Sequence, residues 1–257
     1  TAAPGVREIL TVGKLCYEVR EGHYDLVVVD APASGHIVGQ LAAPQAINEL
    51  VKVGLIRSQT DWMLQILSDT YLNQGKSDKA IYVYQELMKT APTDKNVCLW
   101  QYNGAHAMLS MPGAANGDKV KEIENLVKLW GALKGKKVLP QSEAQECHDN
   151  AAAMSGELAR AYHSESAKTK NAETLGYADK LYKVYLEVFP DAEDYAQTQY
   201  FYAELLWSRA ESEKNSRLQT ELWENAAVAF TDVGKTQKVD AKLMKESLGG
   251  RARSLGT

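Results

Sequence analysis

The chain has 257 residues, an apolar fraction of 45% and a formal net charge of −4. That length admits one or two domains with a sizeable core, and the near-neutral balance argues against a nucleic-acid partner, which needs basic charge or a basic patch. No apolar run approaches the ~18 residues needed to span a bilayer, and no charged region followed by an apolar core opens the chain.

The expected location is therefore cytoplasmic, with envelope association as the alternative should a signal precede Thr1. Cys16, Cys98 and Cys147 are odd in number and widely separated. They give neither zinc spacing nor a disulfide framework, so buried free thiols in a reducing compartment are expected.

In chain order, Val6, Ile9, Leu10, Gly13, Leu15 and Val19 fall roughly on a helical period, with Arg7, Lys14 and Arg20 between them. This predicts an amphipathic helix, ended by Gly22 as the residue past its C-terminus. Leu26 to Val29 is an apolar, β-branched run, the pattern of a strand buried on both faces of a parallel sheet. Pro44 starts a further predicted helix, with Ile47, Leu50 and Val51 on its inner face. Ligands of open α/β sheets sit beyond the carboxyl ends of strands. Asp30 is at such an end, where a carboxylate suits hydrated Mg²⁺, and Gly35 allows close backbone approach to a phosphate. Residue types alone leave two readings open, a nucleotide-switch Asp30 or an ordinary strand-ending one.

The run from Val27 to His36, VVVDAPASGH, and the following LAAPQAINEL from Leu41 to Leu50 resemble the ArsA and Get-pathway ATPases. Those are the arsenite-efflux and tail-anchored-protein targeting ATPases, whose switch loop reads Asp-x-x-x-Thr/Ser-Gly-His after a strand. The resemblance implies that Asp30 acts on a Mg²⁺-bound water and that Gly35 and His36 sense the γ-phosphate. Members of that family begin with a glycine-rich P-loop, and this segment has none. Mg-ATP is therefore expected only if a P-loop is supplied from outside this chain. A lone strand also needs partner strands from elsewhere. Ala229-Phe230-Thr231-Asp232-Val233-Gly234-Lys235-Thr236 loosely fits a P-loop, but it follows helix-patterned Leu222, Ala226, Ala227 and Phe230 rather than a strand. It reads as a helix terminated by Gly234.

From about Asp61, glycine and proline punctuate helical stretches. Leu67, Tyr71, Gly75, Ala80, Tyr84, Leu87 and Pro92 sit at the spacings of a tetratricopeptide repeat (TPR), a 34-residue helix–turn–helix unit. Gly75 closes the first helix, Ser77 or Asp78 caps the second, Ala80 lets the helices cross closely, Tyr84 and Leu87 fill the groove, and Pro92 ends the unit. Cys98 to Leu109 and Lys119 to Leu133 form a predicted hairpin broken at Pro112-Gly113, and Glu143 to His163 a longer helix. Ala178, Tyr182, Tyr185 and Pro190 repeat the second-helix positions. Leu158 and Tyr162 lie too far upstream for the matching first helix, which predicts an insertion around Ser164 to Glu173. Ala226 and Phe230 mark another second helix, preceded by Tyr202, Leu205, Leu206 and Trp207. The pattern resembles divergent TPR solenoids, whose stacked repeats present a concave face to peptides or proteins.

The expected fold is mainly α, a TPR-like antiparallel helical-hairpin solenoid with a small N-terminal α/β fragment. The expected division is 1–60 as the α/β fragment, 61–248 as the repeat domain and 249–257 as a flexible tail. Tyrosine is abundant, with 13 residues, and either lines a peptide groove or packs helices at consensus positions. Asn103 either bonds a ligand backbone or is solvated. His106, His148 and His163 lack metal-ligand spacing, and neighbouring Cys147 and His148 diverge on a helix rather than pairing as nucleophile and base. The expected function is a non-enzymatic interaction scaffold or adaptor with no catalytic residue, metal or cofactor. It would bind protein or peptide partners, without nucleic acid or a transmembrane segment, in a multi-protein complex or oligomer. The alternative is a fragment of an ArsA-like ATPase.

Overall fold

The computed structural model describes residues 6–28, 55–136, 138–236, 239 and 241–256. Among these there are ten helices and no strand, and within each of two units neighbouring helices pack as antiparallel hairpins. The chain divides into two compact units, Thr1–Ala114 and Ala115–Thr257.

The first unit contains α1 (Val6–Glu21), α2 (Leu55–Asn73), α3 (Ser77–Thr90) and α4 (Val97–Ser110). Helix α1 ends as its sequence predicts, with Gly22 at φ +64°, a conformation a Cβ disfavours. Its inner stripe, Val12 and Cys16, packs on Met63, flanked by Trp62 and Ile66 of α2. Burial raises the Cys16 thiol pKa to about 11, which keeps it a protonated packing group. The predicted strand is not found in its described part. Leu26 and Val28 are 77% and 80% exposed and residues 26–28 carry no strand. Asp30, Gly35, His36 and the helix predicted from Pro44 lie outside the described residues.

Gly75 joins α2 to α3 at φ +70°. Its N–H donates to Leu72 O and the Lys76 N–H to Tyr71 O, each at 2.9 Å, the paired bonds of a Schellman ending. Neither Ser77 nor Asp78 caps α3. Lys76 holds the cap position and no side chain bonds there. Ala80, Tyr84 and Leu87 are fully buried, Leu67 and Tyr71 are half-buried, and Pro92 is exposed in the turn before α4. The Tyr84 hydroxyl donates to Asp69 Oδ1 at 2.6 Å and also meets Asn103. One buried phenol thus ties α2, α3 and α4 together, and Asn103 is an internal bonding partner.

The second unit contains α5 (Asn116–Leu133), α6 (Gln141–Thr169), α7 (Ala172–Val188), α8 (Tyr195–Ser212), α9 (Ser216–Lys235) and α10 (Ala241–Leu255). Helices α6 and α7 form one hairpin, α8 and α9 the next, and α10 packs on both α8 and α9. The insertion predicted around Ser164 to Glu173 is instead two further turns of α6 and the start of α7. Lys170 turns the chain at φ +56°. Asn171 then caps α7, its Oδ1 accepting from the Glu173 N–H at 2.9 Å and the Thr174 N–H at 3.3 Å. Asn215 does the same for α9, accepting from Arg217 and Leu218.

The core of this unit collects Ala178, Tyr182, Tyr185 and Phe189 with Ala203, Leu205, Ala226, Phe230 and Val233, all at most 2% exposed. Pro190 is exposed just after them. The P-loop-like run from Ala229 lies inside α9 through Lys235, and Gly234 is helical rather than terminal. A continuous helix points its N–H groups along its own axis, so no phosphate cradle exists there. The chain end, expected to fray, is helical through Leu255. A Cβ added at Gly250 would stand 2.7 Å from the Phe230 ring, so the missing side chain is what lets α10 lie close on α9.

Cys16 is a buried free thiol, as its sequence context predicts.

Candidate binding groove

Helices α6 and α8, the first of their hairpins, and α10 line a chain of open clefts in the second unit. The first cleft, about 570 Å³, runs between α6 and the α7–α8 turn and is edged by Asp149, Glu157 and Arg160 together with Glu193 and Asp194. A second, about 460 Å³, shares Glu193 and Asp194 and continues along Gln197 to Lys242 and Glu246. A third, about 600 Å³, shares Lys242 and Glu246 and ends at Tyr200, Lys245 and Arg253. Shared walls make these one continuous groove.

The local sequence explains it. On α6, Gln145, Asp149, Ala153 and Glu157 recur every four residues, which places them on one helix face. On α8, Gln197 and Tyr200 are three apart, and on α10 Lys242, Glu246, Gly249 and Arg253 recur at three- and four-residue spacings. The opposite faces are buried, through alanines on α6, alanines and leucines on α8 and the small Ser247, Gly250 and Ser254 on α10, so the polar stripes face outward into the groove.

Its walls are held by internal bonds. Arg160 donates to Asp194 Oδ2 at 3.1 Å, and the Tyr185 hydroxyl donates to Asp194 Oδ1. Asp194 therefore anchors α6, α7 and the start of α8 at once. His148 is only 8% exposed. Its ring meets Trp130 and Phe189 edge-on, at 5.5 and 5.4 Å between centroids. Its Nδ1 lies 2.8 Å from Asp149 Oδ1, and that bond, with one from Gln145, holds the Asp149 carboxyl below its ordinary range. Its Nε2 has no hydrogen-bond partner, although Asp191 Oδ1 stands 3.4 Å away without bonding alignment. Partial burial works to raise the Asp191 carboxyl, but its own backbone N–H, Lys134 and His148 outweigh that and lower it.

Further along, burial lifts Glu204 above the usual carboxylate range. A bond from Tyr200 and the charge of Arg253 oppose that shift, and Glu246 adds to it. Burial also pushes Tyr200 to about 12. The Arg253 guanidinium lies over the Trp207 ring at 5.2 Å. None of these groups forms a nucleophile–base pair, and among the described residues no three His, Cys, Asp or Glu gather as a metal site. No described helix is long and apolar enough to cross a membrane.

The structure separates the consensus residues from the groove. Tyr84, Tyr182 and Tyr185 are core groups, with burial raising each phenol, and Tyr200 is the tyrosine that lines the clefts described above. His163 lies behind the groove against Tyr182, 3.4 Å from its hydroxyl, and burial lowers its pKa. His106 is exposed.

No family model matches the chain. Part of it is similar to the ATPase BagA of Mycobacterium tuberculosis (strain H37Rv), 34% identical over 73 residues, covering 26% of this chain and 22% of that protein. The same identity and coverage hold for "Putative ATPase Mb3704" of Mycobacterium bovis. The chain thus spans about a fifth of the length of the curated relatives it matches.

Proposed function

We propose that this protein is a non-enzymatic interaction scaffold of tetratricopeptide type, binding partner peptides or proteins along the groove of α6, α8 and α10. The observation that carries the reading is the continuity of that groove through shared walls. The residues at repeat-consensus positions, Ala80, Tyr84 and Leu87 and again Ala178, Tyr182 and Tyr185, support it by packing the hairpins. Hairpins stacked in this way leave their first helices free to contact a ligand. A rigid polar channel several helices long suits an extended segment better than a small substrate. The scaffold needs no cofactor.

The test is selection of peptides from a displayed random library, followed by photo-crosslinking. A photoreactive residue at Gln197, within the groove, should label selected peptides, and one at the exposed Val228 on α9 should not. Labelling at Val228 alone, or failure to select any binder, contradicts the scaffold.

The partial likeness to BagA favours a second reading, in which the chain is a piece of an ArsA-like ATPase and the helical array serves its clients. That reading requires a P-loop outside this chain, with Asp30, Gly35 and His36 in its switch loop. Calorimetry with Mg-ATP separates the two, since the scaffold alone binds none. With the missing P-loop supplied, Asp30→Asn abolishes hydrolysis under the second reading.

A further inference from the structure

The charges along the groove are ordered. At the α6 end, Asp149, Glu157, Asp191, Glu193 and Asp194 face one arginine and His148. At the α10 end, Lys242, Lys245 and Arg253 face a single Glu246. Several of the acidic groups already have partners, Asp194 with Arg160 and Asp191 with Lys134. Glu157 and Glu193 towards α6, and Lys242 and Lys245 on α10, are exposed.

Resting on the scaffold reading above, we propose that the groove takes an extended peptide segment of opposed charge, with a basic block beside α6 and the α7–α8 turn and an acidic block beside α10. A uniformly basic segment would meet Lys242 and Lys245 at its far end, and a uniformly acidic one would meet Glu157 and Glu193. Like charges brought together at an interface are rejected, so the order of charge sets specificity as well as association rate. Length follows from the packing. Helices α6, α8 and α10 lie in series, each against the next, and packed helix axes are about 8–10 Å apart. Two such steps span roughly 16–20 Å, or about five or six residues of extended chain.

The experiment uses fluorescence anisotropy on the full chain. The probe is a fluorescein-labelled octapeptide, Arg-Arg-Ala-Tyr-Ala-Ala-Glu-Glu, blocked at both ends. Its comparators replace both charged blocks by arginine or both by glutamate. The mixed peptide should bind at least tenfold more tightly than either comparator and weaken as salt rises. Glu157→Lys with Glu193→Lys should cost at least tenfold, and Lys242→Glu with Lys245→Glu likewise. All four substitutions together should restore binding, because an inverted groove accepts the same peptide end for end. These four side chains are not buried, so far-UV circular dichroism should be unchanged in every variant.

Equal binding of the three peptides overturns the charge order, as does failure of the fourfold variant to recover. If library-selected peptides still label Gln197 while the mixed peptide has no advantage, the scaffold stands and this inference falls. If no peptide binds at all, both fall.

Discussion

Gly250 decides whether the chain ends in a docked helix or a loose tail. A Cβ there would meet three atoms of the Phe230 ring at 2.7–2.9 Å. Aromatic ring atoms in a packed core cannot swing aside as the end of a flexible chain does, and Phe230 is 2% exposed. Overpacking of this kind costs about 1–3 kcal/mol. Against it stands the helix preference of alanine over glycine, about 0.8–1.0 kcal/mol. Gly249 isolates the two effects, since it occupies the same helix with nothing within 4 Å of an added Cβ. Gly249→Ala should therefore gain the propensity term alone, and Gly250→Ala should lose the overlap term relative to it. Amide hydrogen exchange reads the opening of α10 separately from the rest of the chain. Protection of α10 should be about five- to 150-fold lower in Gly250→Ala than in Gly249→Ala, the equivalent of the 1–3 kcal/mol overlap. Equal protection in the two variants would refute the packing of α10 on Phe230.

Three further outcomes follow from the packing. Tyr84→Phe removes the hydroxyl that joins Asp69 and Asn103 and should destabilise the first unit by about 1–2 kcal/mol in urea unfolding. Asn171→Ala deletes the cap of α7 and should cost about 1 kcal/mol, read as faster exchange in the first turn of that helix, with Asn171→Asp close to wild type. Burial depresses the His163 pKa below the ordinary imidazole value of 6.5, so the unfolded chain takes up its proton first as pH falls. The second unit should therefore lose stability as pH drops from about 6.5 through the lowered folded value, and His163→Gln should flatten that part of the profile. A profile unchanged by the substitution would place His163 in solvent.

Much of the helical array was legible because its signals are local. Gly22 and Gly75 both sit past helix ends at positive φ, and Ala80, Tyr84, Ala178, Tyr182, Ala226 and Phe230 occupy the buried faces their spacing predicted. The errors arose where a local signal lost to packing. Ser164 to Thr169 has little apolar content and reads as a loop, yet these residues extend α6, with the Ser166 and Thr169 hydroxyls bonding back to its own carbonyls. The composition of the segment after Ser247 suggested fraying, but small Ser247, Gly250 and Ser254 form the buried face of α10. Smallness there serves close approach, and one sequence cannot separate that from flexibility. Gly234 suggests a helix end because glycine is poor in helix interiors, yet the helix continues to Lys235.

The groove was legible in part. Its polar residues recur at three- and four-residue spacings on α6, α8 and α10, but that pattern also describes an ordinary solvated face. What makes it a groove is the way the turn bearing Glu193 and Asp194 closes one side, with Asp194 tied to Arg160 34 positions earlier. No spacing rule anticipates that pairing. The sequence neighbours of His148 likewise say little about it, because its environment comes from Trp130, Phe189 and Asp191.

The central claim is that partners bind along the first helices of the hairpins in the second unit. Hydrogen exchange of the full chain with and without a saturating library-selected peptide tests it most directly. Protection should rise in α6 around Asp149 to Arg160, in the turn and first half of α8 from Glu193 to Tyr200, and in α10 from Lys242 to Gly249, with α7 and α9 unchanged. Protection confined to α7 and α9, or to the first unit, would contradict the account.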